Sequence, residues 1–136
     1  MRIKANPWLF LGAVNGLLAL LAGAYRLYVM DESLTQNALY LFELGVIFHF
    51  AHAGALALVG AVLIIVRQNR QRLLDFCGAA FQIGIVLLAG ALYWLAHLEP
   101  GRYVLFLFLS AVGGGCLIIG WASLTYASWP LFHSNR

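Results

Sequence analysis

The sequence predicts an all-α fold: a four-helix transmembrane bundle in which successive helices run up and down, antiparallel to one another. Hydrophobic residues make up 63% of the 136 residues, only 10% are charged, and the mean hydropathy is +0.88. Soluble domains are about half apolar and about a quarter charged. The apolar residues form four long segments, each close to the roughly 20 residues that a helix needs to cross a bilayer. Together these observations exclude a soluble globular domain, a disordered chain and a nucleic-acid-binding module.

Four spans occupy most of a single membrane domain, residues 1–136. We predict them at about 7–29, 39–66, 73–96 and 103–127. Between the first two spans, the segment Asp31–Asn37 is made of cap and turn residues and is predicted to be a loop with at most a short surface helix. Because the connections are short, consecutive spans should pack as antiparallel neighbours.

The distribution of basic residues predicts which side of the membrane each end faces. Cytoplasmic loops of membrane proteins carry an excess of Lys and Arg. Two basic residues, Arg26 and Arg102, fall at one end of the predicted bundle. Six fall at the other end: Arg2, Lys4, Arg67, Arg70, Arg72 and Arg136. This asymmetry predicts that both termini are cytoplasmic, in a multi-pass protein of the bacterial inner membrane, with an organellar membrane as the alternative.

Small residues mark the faces on which helices are expected to pack. Without a hydrophobic drive inside lipid, membrane helices associate where small side chains let their backbones approach closely. The candidate packing residues are Gly12, Gly16, Gly113, Gly114, Gly115 and Gly120. Contact within one bundle is the favoured role, and self-association through faces left over is the alternative. The three consecutive glycines also permit a kink, or a bound lipid or pigment.

Four polar residues inside the spans are interpreted as structural. Asn15 and Gln82 lie at matching depth in the first and third spans, whose sequences echo each other in Leu20–Tyr25 and Leu87–Tyr93. We therefore expect their amides to be hydrogen-bonded across the bundle. Arg26 and Glu43 have opposite charges at matching depth, which predicts an interfacial ion pair between the first two helices.

Two histidines in the second span are the candidate cofactor-binding residues. His49 and His52 are three residues apart and so share a helix face. With His97 as a third ligand they suggest a metal or haem site, although no His-Glu-x-x-His or Cys-x-x-Cys pattern is present. Alternatively, both are neutral histidines hydrogen-bonded to a neighbouring helix, or form a proton relay with Glu43. His52 is the single residue we favour for a function, and its candidate partners are Tyr25, Tyr93 and Ser110.

The sequence contains no recognisable catalytic constellation, so an enzyme is not the favoured interpretation. We predict a small accessory or scaffold subunit that packs against other membrane helices, with the lipid bilayer and other membrane subunits, or further copies of itself, as partners. One alternative is a small transporter or channel that works as an oligomer. Another is an electron-transfer protein that binds haem or metal through His49 and His52. No specific cofactor is predicted.

Motifs in all four spans resemble the domain of unknown function 423 family of small four-span membrane proteins. The similar segments are Leu11–Gly16, Glu43–Val46 with His52–Gly60, Leu88–Ala96, and Val112–Gly115 with Ile118–Trp121. The resemblance implies a four-span fold and a membrane location, but no activity. The family usually has a histidine after the Gly-Ala of the first span, where this chain continues Tyr25–Arg26–Leu27–Tyr28. If that histidine pairs with the family's equivalent of His52, this chain is a divergent member with an altered site.

Overall fold

The structure, a computed structural model, describes residues 6–30, 34–65, 70–98 and 103–133, and the side chains of these ranges except 65 and 130–133. Within them the chain forms four helices: α1 (Pro7–Tyr28), α2 (Gln36–Ile65), α3 (Gln71–Leu95) and α4 (Tyr103–His133). All four are long and apolar enough to cross a membrane. The predicted all-α, four-span bundle is confirmed.

Local hydrogen bonds explain where the helices begin. Asn6 precedes α1 and its side chain accepts a hydrogen bond from the backbone N–H of Trp8 at 3.0 Å, while Pro7 occupies the first helical turn. This is a favourable N-cap, since it satisfies a donor that the first turn would otherwise leave free. The Nδ2 of Asn6 also donates to the carbonyl of Gly60 at 2.5 Å, which ties the start of α1 to α2.

Two helices extend beyond the predicted spans. Helix α2 begins at Gln36, so Gln36 and Asn37 at the end of the predicted loop are helical. The Thr35 hydroxyl accepts from the backbone N–H of Ala38 at 3.2 Å and starts the helix there. Helix α4 continues past Ala127 to His133. Residues 31–33 of the predicted loop, and Val66 at the end of the second span, lie outside the described residues.

The helices are arranged in chain order as an antiparallel row. Helix α1 packs along α2, α2 along α3, and α3 along α4; among the described residues, α1 and α4 each have one extensive neighbour. In the most apolar stretch of each helix, 39% of residues are buried in α2 and 50% in α3, against 17% in α1 and in α4. The outer helices therefore present broad apolar faces to lipid.

Two clusters form the core. The larger joins α2, α3 and α4 around the fully buried side chains of Leu56, Val59, Cys77 and Phe81. The smaller, made of Met30, Leu39, Phe42 and Ala96, lies where α1 and α3 end and α2 and α4 begin. We call this the first-loop end of the bundle, and the opposite one the terminal end.

Three of the six predicted packing glycines lie at helix contacts. A Cβ atom on Gly12 would collide with the backbone of Ala57, one on Gly113 with the backbone of Leu87 and Leu88, and one on Gly120 with the ring of Phe81. The backbones of α1 and α2, and those of α3 and α4, therefore approach too closely for any side chain at Gly12 and Gly113.

The other three glycines do not pack within the described bundle, contrary to expectation. No atom of a neighbouring helix lies within 4 Å of the Cβ position of Gly16, Gly114 or Gly115. The physical reason is helical rotation, since each residue turns about 100° from the one before it. Gly113 faces α3, and the two glycines that follow are carried away from it.

Candidate functional site

Four polar side chains from three helices form a continuous hydrogen-bonded network in the interior. The Nδ2 of Asn15 on α1 lies 2.9 Å from the Oε1 of Gln82 on α3. The Oδ1 of Asn15 lies 3.1 Å from the Nε2 of His49 on α2. The Nδ1 of His49 lies 3.1 Å from the hydroxyl of Tyr93, again on α3. We call Asn15, His49, Gln82 and Tyr93 the polar network.

The partners determine the direction of each hydrogen bond. The Oδ1 of Asn15 can only accept, so the Nε2–H of His49 donates to it. In a neutral imidazole the other nitrogen is then an acceptor, and the hydroxyl of Tyr93 donates to it. The Asn15 amide donates one hydrogen to Gln82 and the other to the carbonyl of Leu11 at 2.8 Å. Donation therefore runs from Tyr93 through His49 and Asn15 to Gln82.

The network explains how polar side chains are tolerated inside an apolar bundle. Asn15 is 6% exposed and His49 is 7% exposed. A buried polar group without a partner costs several kcal/mol, on the order of 2–7 kcal/mol for an amide. Here both nitrogens of the imidazole and both ends of the Asn15 amide have partners, so α1, α2 and α3 are joined without that penalty. The hydrogen bond expected between Asn15 and Gln82 is present.

Glycine at position 45 makes the tyrosine part of the network. A Cβ atom on Gly45 would lie 2.8 Å from Cε1 of Tyr93, too close for any real side chain. Gly45 is one turn before His49, so its bare backbone leaves the space in which the Tyr93 ring reaches that histidine. The contact of Gly45 with Tyr93 was not predicted, although both residues fall within the motifs that resemble the family.

His52 occupies a different environment from His49, and the expected partners of His52 were wrong. Its Nδ1–H donates to the carbonyl of Phe48 at 2.7 Å, within its own helix. Its ring packs against those of Phe48, Phe81 and Trp121, with centroids 5.8, 6.1 and 6.2 Å away. Of the partners expected for it, Tyr93 bonds His49, Ser110 bonds the carbonyl of Leu107, and Tyr25 packs on Phe42.

The geometry does not fit a metal or haem site shared by the two histidines. Three residues of helix separate their directions by about 60°, and His49 faces Asn15 and Tyr93 while His52 faces Phe81 and Trp121. Either nitrogen of His49 would have to give up a hydrogen bond to ligate a metal. Within the described part of the chain, no three His, Cys, Asp or Glu side chains are grouped closely enough to hold a metal ion.

An ion pair joins α1 and α2 at the first-loop end. The Nη2 of Arg26 lies 2.7 Å from Oε1 of Glu43, and the two side chains are 20% and 51% exposed. The Nε of Arg26 is buried and has no hydrogen-bond partner among the described residues. Arg26 thus pairs with Glu43, as the matching depth and opposite charges of the two residues predicted.

An aromatic cluster separates this ion pair from the polar network. The ring of Phe42 lies between those of Tyr25, Tyr93 and His97, with centroids 5.8, 4.8 and 5.9 Å away. The Nδ1–H of His97 donates to the carbonyl of Tyr93 at 2.9 Å, so His97 is held in its own helix and does not approach His52. Phe42 therefore links rings of α1 and α3 next to the polar network.

Comparison with known proteins places the chain in a family. The sequence profile described as "Protein of unknown function (DUF423)" matches residues 22–114. The chain belongs to the DUF423 family. A UPF0382 membrane protein of Haemophilus influenzae is 29% identical over 124 residues, which cover 91% of this chain and 94% of the relative. A UPF0382 membrane protein of Staphylococcus epidermidis is 25% identical over 121 residues, covering 89% and 93% of the two chains.

No solved structure matches this DUF423 protein. Its relatives come from bacteria and are described as membrane proteins, which agrees with four membrane-spanning helices. Neither the family description nor the relatives' names state an activity, so any function must be argued from the site and the surfaces of the bundle.

Proposed function

We propose that this DUF423 protein is a non-catalytic accessory or scaffold subunit of the bacterial inner membrane, which packs the outward face of α4 against another membrane helix. The single observation that supports this most directly is the pair of open glycines, Gly114 and Gly115, on a helix that has one extensive neighbour among the described residues.

The outward face of α4 has a shallow notch at its centre. Counting 100° per residue, Gly115 points directly away from α3, while Gly113, Leu117 and Gly120 point towards it. Ala111 lies one turn before Gly115 on the same outward stripe and is exposed. Phe108 and Ile118 are exposed above and below this pair, at 65% and 71%. A notch of small residues between bulky ones lets a partner backbone approach, which favours helix association in lipid.

The glycines have a cost that packing within the chain does not offset. Each glycine in a helix interior destabilises it by roughly 1 kcal/mol relative to alanine. Gly113 is required by the close backbone of α3. No such contact within the described bundle requires Gly114 or Gly115. Close packing against a helix of another subunit would account for the glycines at these positions.

The polar interior supports a non-catalytic role. His49 and Asn15 use their hydrogen-bonding groups on each other and on Gln82, Tyr93 and Leu11. A substrate would have to break these bonds to engage either residue. The network therefore serves to hold three helices together rather than to bind a ligand.

Native mass spectrometry of the protein expressed at chromosomal level and extracted in mild detergent tests this function. We expect a stoichiometric complex with a membrane protein partner or with a second copy. Gly115→Leu fills the notch and should dissociate the complex. Gly54→Leu is the matched control, because Gly54 is equally open but lies on α2. A monomeric wild-type protein, or equal loss of the complex in both variants, would contradict the proposal.

A further inference from the structure

An apolar groove runs between the lipid-facing sides of α1 and α2. Its volume is about 600 Å³. Small residues, among them Ala19, Gly23 and Ala51, line it together with bulky ones such as Leu20, Leu27 and Phe50.

The length of the groove corresponds to one leaflet of a bilayer. Along α1 its lining extends from Ala19 to Tyr28. Nine residues at 1.5 Å each cover about 13 Å, close to half of the roughly 30 Å hydrocarbon core. The groove therefore begins near mid-membrane and opens at the first-loop end, at the depth where lipid headgroups start.

The ion pair of Arg26 and Glu43 lies at this open end. Glu43 precedes the lining residues Val46 and Ile47 by three and four positions, so it continues the same face of α2 by one turn. Arg26 follows the lining residue Gly23 by three positions on α1. An apolar channel one leaflet long thus ends at adjacent positive and negative charges, 2.7 Å apart.

We propose that this groove binds an acyl chain of phosphatidylethanolamine from the leaflet at the first-loop end, with the phosphate at Arg26 and the ammonium at Glu43. The headgroup carries one negative and one positive charge, which complement the two charges at the mouth. The guanidinium has five N–H donors, and the contact with Glu43 is made by Nη2, so the side chain, which is 20% exposed, has further donors for a phosphate. The Glu43 side chain is half exposed and accessible to an ammonium group.

The same chemistry predicts selectivity between headgroups. Phosphatidylglycerol has no cation for Glu43, and the quaternary ammonium of phosphatidylcholine has no N–H to donate to a carboxylate. This inference uses α1 and α2, so it stands independently of the partner face proposed on α4.

The experiment uses the full-length protein, delipidated in mild detergent and then mixed with equal amounts of the three phospholipids carrying the same acyl chains. Native mass spectrometry counts the lipids that stay bound. We expect wild-type protein to retain one phosphatidylethanolamine with a preference of about tenfold over the other two, equivalent to about 1.4 kcal/mol. Glu43→Gln should reduce the preference over phosphatidylglycerol while the groove still holds a lipid.

A matched pair of variants tests the groove itself. Ala51→Phe adds a ring at a residue that lines the groove and should reduce bound lipid by about tenfold. Ala61→Phe adds the same ring at an exposed position of α2 outside the groove and should leave binding unchanged. Equal retention in the two variants, or no headgroup preference in the wild-type protein, overturns the proposal. The wild-type measurement decides alone if Ala51→Phe does not fold. The proposal is also overturned if the wild-type protein binds no lipid but forms a dimer that Ala51→Phe abolishes.

Discussion

His49 is the central member of the polar network, because it hydrogen-bonds both Asn15 on α1 and Tyr93 on α3. Replacing it by an apolar ring leaves the Asn15 carbonyl oxygen and the Tyr93 hydroxyl buried without their partner. Unsatisfied buried groups cost more than the hydrogen bonds themselves contribute. We therefore expect the loss of hydrogen bonds to destabilise the protein more when His49 is replaced than when His52 is replaced.

We predict that His49→Phe lowers the free energy of unfolding by about 1–3 kcal/mol. Tyr93→Phe removes a single hydrogen bond and should cost less, on the order of 0.6–1 kcal/mol in a membrane environment. The measurement is reversible unfolding in mixed detergent micelles. His97→Phe is the control, since His97 is exposed and bonds only its own helix in the described structure, and it should be close to neutral. A cost for His49→Phe no larger than that for His97→Phe would show that the network is not stabilising.

The amide pair offers a sharper test of contact. Asn15→Leu and Gln82→Leu should each be mild, with Asn15 the costlier because it also bonds His49 and Leu11. Because the two amides are in direct contact, the double variant should lose less stability than the sum of the single variants, with a coupling below about 1 kcal/mol. Additive losses in the double-mutant cycle would refute the hydrogen bond.

At the scale of the helices, close backbone approach decides which glycines are indispensable. A Cβ atom on Gly12 would overlap the backbone of Ala57, whereas one on Gly16, a turn further along the same helix, would meet no neighbouring helix in the described structure. Backbone atoms cannot move aside as a side chain does, so the methyl group at Gly12 would push α1 away from α2.

Matched alanine substitutions test this difference. Gly12→Ala should destabilise the bundle by about 1–3 kcal/mol, as overpacking does in other cores, and Gly16→Ala should be neutral or slightly stabilising because alanine favours helix more than glycine does. The same contrast applies between Gly113→Ala and Gly114→Ala on α4. Unfolding in detergent measures both pairs, and equal effects within either pair would show that the helices are not packed this closely.

In the molecule as a whole, α1 and α4 are the outer helices of the row, and their apolar outer faces must be covered by lipid or by partner proteins. Their most apolar stretches are 17% buried each within the described structure. The two outer helices differ in their surfaces: α1 contributes to a groove that has an ion pair at its open end, and α4 has a notch of small residues. This difference is why we propose a lipid for the first and a helix for the second.

The predicted orientation of the whole molecule rests on its six basic residues at one end against two at the other. We expect the termini to be cytoplasmic. Single cysteines at Ser134 and Asn37, in a background with Cys77 and Cys116 replaced by alanine, can be labelled from the periplasmic side with a membrane-impermeant maleimide. Asn37 should react and Ser134 should not; the reverse pattern would contradict the orientation.

The sequence by itself determined the number of helices, their membrane character and the pairs of residues that meet because they lie at the same depth. Depth along a helix is fixed by counting residues at 1.5 Å each. That is why the contacts of Asn15 with Gln82 and of Arg26 with Glu43 could be predicted from spacing, charge and polarity alone.

Only the tertiary structure determined which residues of each helix face a neighbouring helix and which face lipid. Rotation about the helix axis depends on which neighbour a helix packs against, and four segments that are apolar on all sides carry little information about it. The sequence therefore favoured His52 for a function, yet His49 is the histidine that joins three helices, while His52 packs among aromatic rings. Likewise Gly113 and Gly114 are neighbours in a run of identical residues, but only Gly113 faces α3, because a turn of about 100° separates them.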